Sequence, residues 1–204
     1  MNETFKRTIF GLIYIALMWF GVSLSQITFH LLFFIILIMC LYEMWKLRKG
    51  KTKFLAFSYI IIPLIIIQLF GIYDTNLVLF MFILTWTFDT FAFIIGVKFG
   101  KNKINPSISP KKSWEGFIGG FTFTIIASYL SFNYFGFNSF QKPLIISITL
   151  PFTATLGDFI ESRYKREANV KDSGNIIPGH GGILDRMDAF FITIPVLYIL
   201  INLL

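Results

Sequence analysis

The chain has 204 residues, of which 55% are hydrophobic, 19% aromatic and only 14% charged, and its mean hydropathy is +0.71. A soluble globular domain carries about 25% charged residues and could not hide 26 Phe in a core of this size, so the composition excludes a soluble enzyme and reads as an integral membrane protein. The single Cys40 excludes an internal disulfide and a cysteine-based zinc site, and the net charge of +7 is distributed in a way that points to a membrane and not to nucleic acid.

A membrane-crossing helix needs about 20 mostly apolar residues. Such stretches predict seven transmembrane helices, near 8–24, 27–45, 54–71, 76–97, 114–136, 143–164 and 187–204. The expected fold is an all-α polytopic helix bundle forming one membrane domain over 1–204. The first stretch follows Lys6 and Arg7 as a signal peptide would, but Met18, Trp19 and Phe20 occupy the place of a small-residue cleavage site, so it is kept as a helix.

The cations then fix the orientation. Lys6 and Arg7 precede the first span; Lys46, Arg48, Lys49, Lys51 and Lys53 lie between the second and third. Lys98, Lys101, Lys103, Lys111 and Lys112 separate the fourth from the fifth, and Arg163, Lys165, Arg166, Lys171 and Arg186 the sixth from the seventh. Of the 18 Lys and Arg, only Lys142 falls in an alternate loop. The positive-inside rule places the N-terminus in the cytoplasm and the C-terminus outside. Residues 1–75 read as plain spans, and the polar content concentrates after them.

An ionised carboxylate in a bilayer costs several kcal/mol, about 2.5–3.5 by insertion scales, so each asks for a partner or a task. Asp89 lies in the cytoplasmic half of the fourth span, Asp158 and Glu161 near the cytoplasmic end of the sixth, and Asp185 and Asp188 at the start of the seventh. All belong to one side of the membrane, which favours a site over a pore. Asp158, Glu161 and Ser162 stand at i, i+3 and i+4, on one helical face, and Asp185 and Asp188 at i, i+3. Two adjacent spans therefore present acids at similar depth, which suits a hard cation such as Mg²⁺. Ion pairing with Arg163, Lys165 and Arg186 is the equal alternative from spacing alone.

The loop between those spans contains Gly179, His180, Gly181 and Gly182, with Lys165, Arg166, Lys171 and Arg186 around it. Glycines permit backbone N–H groups to face an anion, and the cations suit phosphates. His180 reads as a base, a ligand or, slightly favoured, a loop hydrogen bonder. A second basic loop, Ser109-Pro110-Lys111-Lys112-Ser113, leads into the fifth span. Together these features suggest nucleotide or phosphoryl chemistry at the cytoplasmic face.

Several motifs carry a resemblance. Gly157-Asp158-x-x-Glu161-Ser162-x-x-Lys165-Arg166, Lys171-Asp172-Ser173-Gly174, Pro178-Gly179-His180-Gly181-Gly182-x-x-Asp185-Arg186-x-Asp188 and Ser109-Pro110-Lys111-Lys112-Ser113-x-Glu115-Gly116 resemble the signature of the CDP-diacylglycerol synthases, or phosphatidate cytidylyltransferases. The likeness covers roughly 85–190, the expected catalytic region. Tyr164 departs from it, in a position usually aliphatic or Phe, and the chain is short for the family, with N-terminal spans lacking.

The resemblance implies an Mg²⁺-dependent reaction of CTP with phosphatidic acid that gives CDP-diacylglycerol and pyrophosphate. It implies metal binding by Asp158 and Asp185, with Asp188 as a third candidate. Lys165, Arg166, Lys171 and Arg186 would surround the CTP phosphates, Asp172 is a further catalytic candidate, and Ser162, Gly179, His180, Gly181 and Gly182 are the expected nucleotide-binding residues. Lys111 and Lys112 would meet either the lipid phosphate or the triphosphate, and Asp89 would orient a lysine or a metal-bound water. It leaves room for a homodimer and for a monovalent cation such as K⁺. The expected setting is a bacterial plasma membrane, with no nucleic-acid partner.

Overall fold

The computed structural model of the chain describes residues 3–177, 179 and 181–203. These form seven α-helices and two short strands: α1 (Glu3–Ser23), α2 (Gln26–Leu47), α3 (Phe54–Tyr73), α4 (Thr75–Phe99), β1 (Lys103–Asn105), β2 (Ser109–Ser113), α5 (Trp114–Ser131), α6 (Gln141–Glu167) and α7 (Leu184–Leu203). Side-chain caps start several of the helices, because the first turn leaves backbone N–H groups without partners. Ser25 and Thr28 form a reciprocal capping box on α2, Asp74 accepts from Leu77 N–H at 3.1 Å on α4, and Ser113 accepts from Gly116 N–H at 3.2 Å on α5.

The helices follow the apolar stretches, with differences that have local causes. The fifth stretch was expected to reach residue 136, but α5 ends at Ser131 and the chain turns before Gly136, whose φ is 80°. α6 runs on to Glu167 because its last turn is polar and was not counted as membrane. α7 starts at Leu184, which brings both Asp185 and Asp188 into its opening turns. The strands β1 and β2 lie where the sequence predicts a loop. They pair antiparallel, Lys103 with Ser113 and Asn105 with Ser109, and are secured when Glu115 accepts from Asn102 N–H and Nδ2–H, the latter at 2.7 Å.

Among the described residues, α2, α4 and α6 are long and apolar enough to cross a membrane, and α1 and α3 contain shorter apolar segments. Phe29, Phe33, Phe80, Phe82 and Phe191 fill the interior, whereas Phe20, Ile27, Phe34, Phe93, Leu130 and Phe152 point outward. So much outward apolar surface fits lipid and not water. α4 and α5 approach closely: a Cβ on Gly116 would lie 2.6 Å from the Ala92 carbonyl oxygen, so only glycine permits this approach.

The connections sort into two ends. Arg48 pairs with Glu167 at 2.5 Å and Lys112 pairs with Asp158, which gathers the α2–α3, α4–α5 and α6–α7 connections at one end. Asp74, Asn138, Lys142 and Ile201 share a cavity of about 340 Å³ at the other.

Candidate active site

Three acids converge where α6 faces α7. Carboxylate oxygens of Asp158, Glu161 and Asp188 lie within 4.8 Å of one another. The closeness of the helices depends on Gly157: a Cβ there would collide with the Asp188 carbonyl oxygen and lie 3.5 Å from Ala189 Cα. Tyr59 reinforces the contact from α3, donating to the Gly157 carbonyl at 2.8 Å.

Glu161 is fully buried. Its Oε2 pairs with Lys165 one turn along α6, while its Oε1 has no hydrogen-bond partner among the described residues. A buried carboxylate oxygen without a donor, beside two further carboxylates, is costly unless a cation joins them. The donor set is all oxygen, which suits a hard cation. The residues present therefore fit a metal ion.

Of the acids expected to bind metal, Asp158 and Asp188 belong to this group, and Glu161 is its third member. Asp185 stands behind Lys165. Its Oδ1 accepts from Lys165 Nζ at 2.7 Å, and its Oδ2 accepts from Ser173 N–H and Oγ–H, each at 2.9 Å, and from Gly182 N–H at 2.8 Å. Lys165 thus bridges Glu161 and Asp185. Of the two readings left open by spacing, ion pairing is seen for Glu161 and Asp185 with Lys165, and Asp158, Glu161 and Asp188 lie close enough together to hold a metal ion.

The remaining candidates divide by exposure. Ser162 is buried and donates to Asp158 at 3.4 Å. Arg166, Lys171 and Asp172 are exposed at the end of α6 and on the loop, and Arg166 donates to the Val170 carbonyl at 3.0 Å. Gly179 and Gly181 adopt φ of 80° and 85°, which favours glycine at both. Gly181 pairs with Ile177 across a tight turn. His180 and Pro178 lie outside the described residues.

Asp89 is exposed and lines two cavities. The larger, about 600 Å³, runs between α4, α5 and the hairpin and is lined by Lys103, Lys111, Lys112, Phe93, Val97 and Phe117 among others. It has a cationic rim and an apolar wall. Lys112 joins it to the acid group by pairing with Asp158. The smaller, about 250 Å³, lies between α1, α4 and α7 and includes Tyr14, Asp185, Arg186 and Asp188.

Sequence reasoning missed residues from the first 75, read as plain spans. Glu43 on α2 is buried and accepts from Ile183 N–H at 3.1 Å and Leu184 N–H at 2.9 Å, and its Oε2 lies 2.8 Å from Ser173 Oγ, whose single hydrogen it shares with Asp185. Arg48 holds Glu167 and lies over the Tyr164 ring, 5.3 Å from its centroid, which gives the atypical Tyr164 a partner. The signal for Glu43 was present: a carboxylate in an apolar run, as costly there as in the later spans.

Comparison with known proteins adds a family. Residues 54–204 match the cytidylyltransferase family. The chain is 35% identical over 210 residues to the phosphatidate cytidylyltransferase of Rickettsia bellii (strain RML369-C), covering 97% of this chain and 90% of that protein. It is 41% identical over 163 residues to the phosphatidate cytidylyltransferase of Staphylococcus saprophyticus, covering 76% of this chain and 63% of that protein. With the protein of the same name from Staphylococcus haemolyticus the identity is 45% over 125 residues, 61% of this chain and 48% of that protein. The chain thus spans most of the rickettsial relative but half to two thirds of the staphylococcal ones.

Proposed function

Because this chain belongs to the cytidylyltransferase family, we propose that it transfers the cytidylyl group of CTP to phosphatidic acid. A phosphate oxygen of the lipid attacks the α-phosphorus of CTP. The new P–O bond forms as the bond to the β-phosphate oxygen breaks, so pyrophosphate leaves and CDP-diacylglycerol stays in the membrane. The nucleophile is already ionised near neutral pH, and no strong base is needed. The task is to bring two polyanions together.

One observation carries this reading: the acid group of Asp158, Glu161 and Asp188 is joined through Lys112 to a cavity with a cationic rim and an apolar wall. Such a cavity fits a phosphate attached to acyl chains. Asp158, Glu161 and Asp188 would hold Mg²⁺, which when bound neutralises triphosphate charge. Lys165, kept in place by Glu161 and Asp185, presents a fixed cation to the nucleotide. Arg166, Lys171 and Arg186 collect the β- and γ-phosphates, and Lys111 takes the lipid phosphate at the cavity rim. All seven helices cross the membrane, with the N-terminus and the site on the cytoplasmic side of a bacterial plasma membrane. The cation-rich connections support that orientation.

The test is to incubate purified protein in lipid with labelled CTP, phosphatidic acid and Mg²⁺ and to identify both products. CDP-diacylglycerol with pyrophosphate is expected. Release of CDP would instead make the protein a CTP-dependent lipid kinase.

A further inference from the structure

Glu43 has no place in the chemistry above, yet it occupies the centre of the loop that leads into α7. From the geometry we infer that Glu43 is a positioning residue, supplied by α2, that holds this loop and the first turn of α7 in the shape the acid group requires.

Three donors converge on its carboxylate from 130 to 141 residues away in sequence: Ser173 Oγ–H, Ile183 N–H and Leu184 N–H. Leu184 opens α7, and the first N–H groups of a helix have no partner within it. A helix is normally capped by a side chain just before it. Here no capping side chain precedes α7 among the described residues, since Gly182 and Ile183 are the residues before it, and the acceptor comes from another helix. An acidic group at this end also interacts favourably with the helix dipole.

The loop is shaped around that carboxylate. A Cβ on Gly174 would lie 2.6 Å from Glu43 Oε1, and one on Gly182 would collide with Glu43 Oε2 and Ser173 Oγ. A side chain at either glycine would therefore displace the Glu43 carboxylate from its place in the loop. The consequences pass to the acids through Ser173. Its hydroxyl stands between Glu43 Oε2 and Asp185 Oδ2, and its N–H secures Asp185 as well. Asp185 orients Lys165 against Glu161, and Asp188 lies one turn further along the helix that Glu43 starts. Two routes thus lead from Glu43 to the acid group, one through Ser173, Asp185 and Lys165, the other along the α7 backbone.

The role rests on the loop geometry for its first readout and on the metal reading only for its second. Wild-type protein, Glu43→Ala and Glu43→Asp are compared in detergent by amide hydrogen exchange and by binding of Mn²⁺ alone, followed from the paramagnetic signal of the free ion. In Glu43→Ala, exchange in peptides covering 171–187 should rise about tenfold or more, as befits lost hydrogen bonds to a charged group, with α3 and α4 unchanged. Mn²⁺ affinity should fall about 10–100-fold, the usual effect of removing a group that orients metal ligands, and Glu43→Asp should recover part of both losses. Unchanged exchange over 171–187 overturns the inference, and so does a uniform rise throughout the bundle, which would make Glu43 a residue of general stability. Absence of Mn²⁺ binding in the wild type would count against the metal assignment alone, and the exchange data would still decide the role of Glu43.

Discussion

Two polar connections at one end of the bundle, the 100–113 hairpin with four lysines and the 168–183 loop with Lys171 and Asp172, are both close to the acids, but they are ordered by opposite means. The hairpin is held by backbone pairing between β1 and β2 and by Glu115 on its flank. Its lysines Lys103 and Lys111 remain exposed. The loop has little backbone pairing beyond Ile177 with Gly181. Its amides and Ser173 turn inward to Glu43 and Asp185. A connection that satisfies its own backbone can offer side chains to a ligand, whereas one that depends on carboxylates for its shape passes its geometry on to them. The hairpin should therefore govern substrate binding and the loop the arrangement of the reacting groups.

The most severe way to probe the difference is to remove an acid on which both connections converge. Asp158 pairs with Lys112 of the hairpin and belongs to the acid group beside the loop. Asp158→Asn should lower kcat on the order of 10³-fold, since metal-assisted charge stabilisation is worth several kcal/mol. The measurement is CDP-diacylglycerol formation at saturating CTP and lipid, and a rate within tenfold of wild type would remove Asp158 from the centre of the chemistry.

Ser173→Ala acts on the loop alone. It deletes the hydroxyl shared by Glu43 and Asp185 but keeps the Ser173 N–H bond to Asp185. Activity should fall about 10–100-fold, with a matching rise in the Mg²⁺ concentration for half-activation, while KM for phosphatidic acid stays constant. A change confined to that KM would contradict the division of labour between the two connections.

Much of this arrangement was legible in the sequence, for reasons that also explain what was not. Apolar length gave the helices because lipid demands it, and α2 and α4 follow the expected stretches closely. Helical spacing put Asp158 and Glu161 on one face and Asp185 with Asp188 on another. Spacing cannot say which acid a lysine will occupy, and Lys165 engages Asp185 with Glu161 in a way that leaves Glu161 Oε1 open. The hairpin escaped notice because a three-residue and a five-residue strand rich in Lys and Ser carry no hydrophobic alternation. Glu43 stands out as a carboxylate in an apolar run, but its partners are more than a hundred residues away, a distance no local pattern spans.

On the hairpin, Lys111→Ala should raise KM for phosphatidic acid about tenfold, as expected for one charge-assisted phosphate contact, and leave kcat within about twofold. Lys112→Ala should differ by lowering kcat as well, since Lys112 also pairs with Asp158. Steady-state kinetics at varied lipid fraction separate the two. Equal effects on kcat would mean that both lysines serve the same group and that the hairpin has no binding role of its own.

The smallest effect belongs to Glu167, at the rim where the loop leaves α6. Arg48 and Arg163 both reach its carboxylate, at 2.5 and 3.2 Å, but the Glu167 side chain is 34% exposed and that of Arg163 is 73% exposed. Arg48 keeps the Thr52 carbonyl, bound through Nε at 3.1 Å and Nη2 at 3.0 Å, when Glu167 is neutralised. Solvent and salt screen such pairs, and their typical worth is below about 1 kcal/mol. Glu167→Gln should therefore shift the melting temperature by a few degrees at most, less at high ionic strength, and leave turnover within about twofold. A large loss of activity with normal stability would show that the α2–α6 contact transmits to the acids as strongly as Glu43 does, and the contrast between the two connections would then extend to the whole cationic end of the bundle.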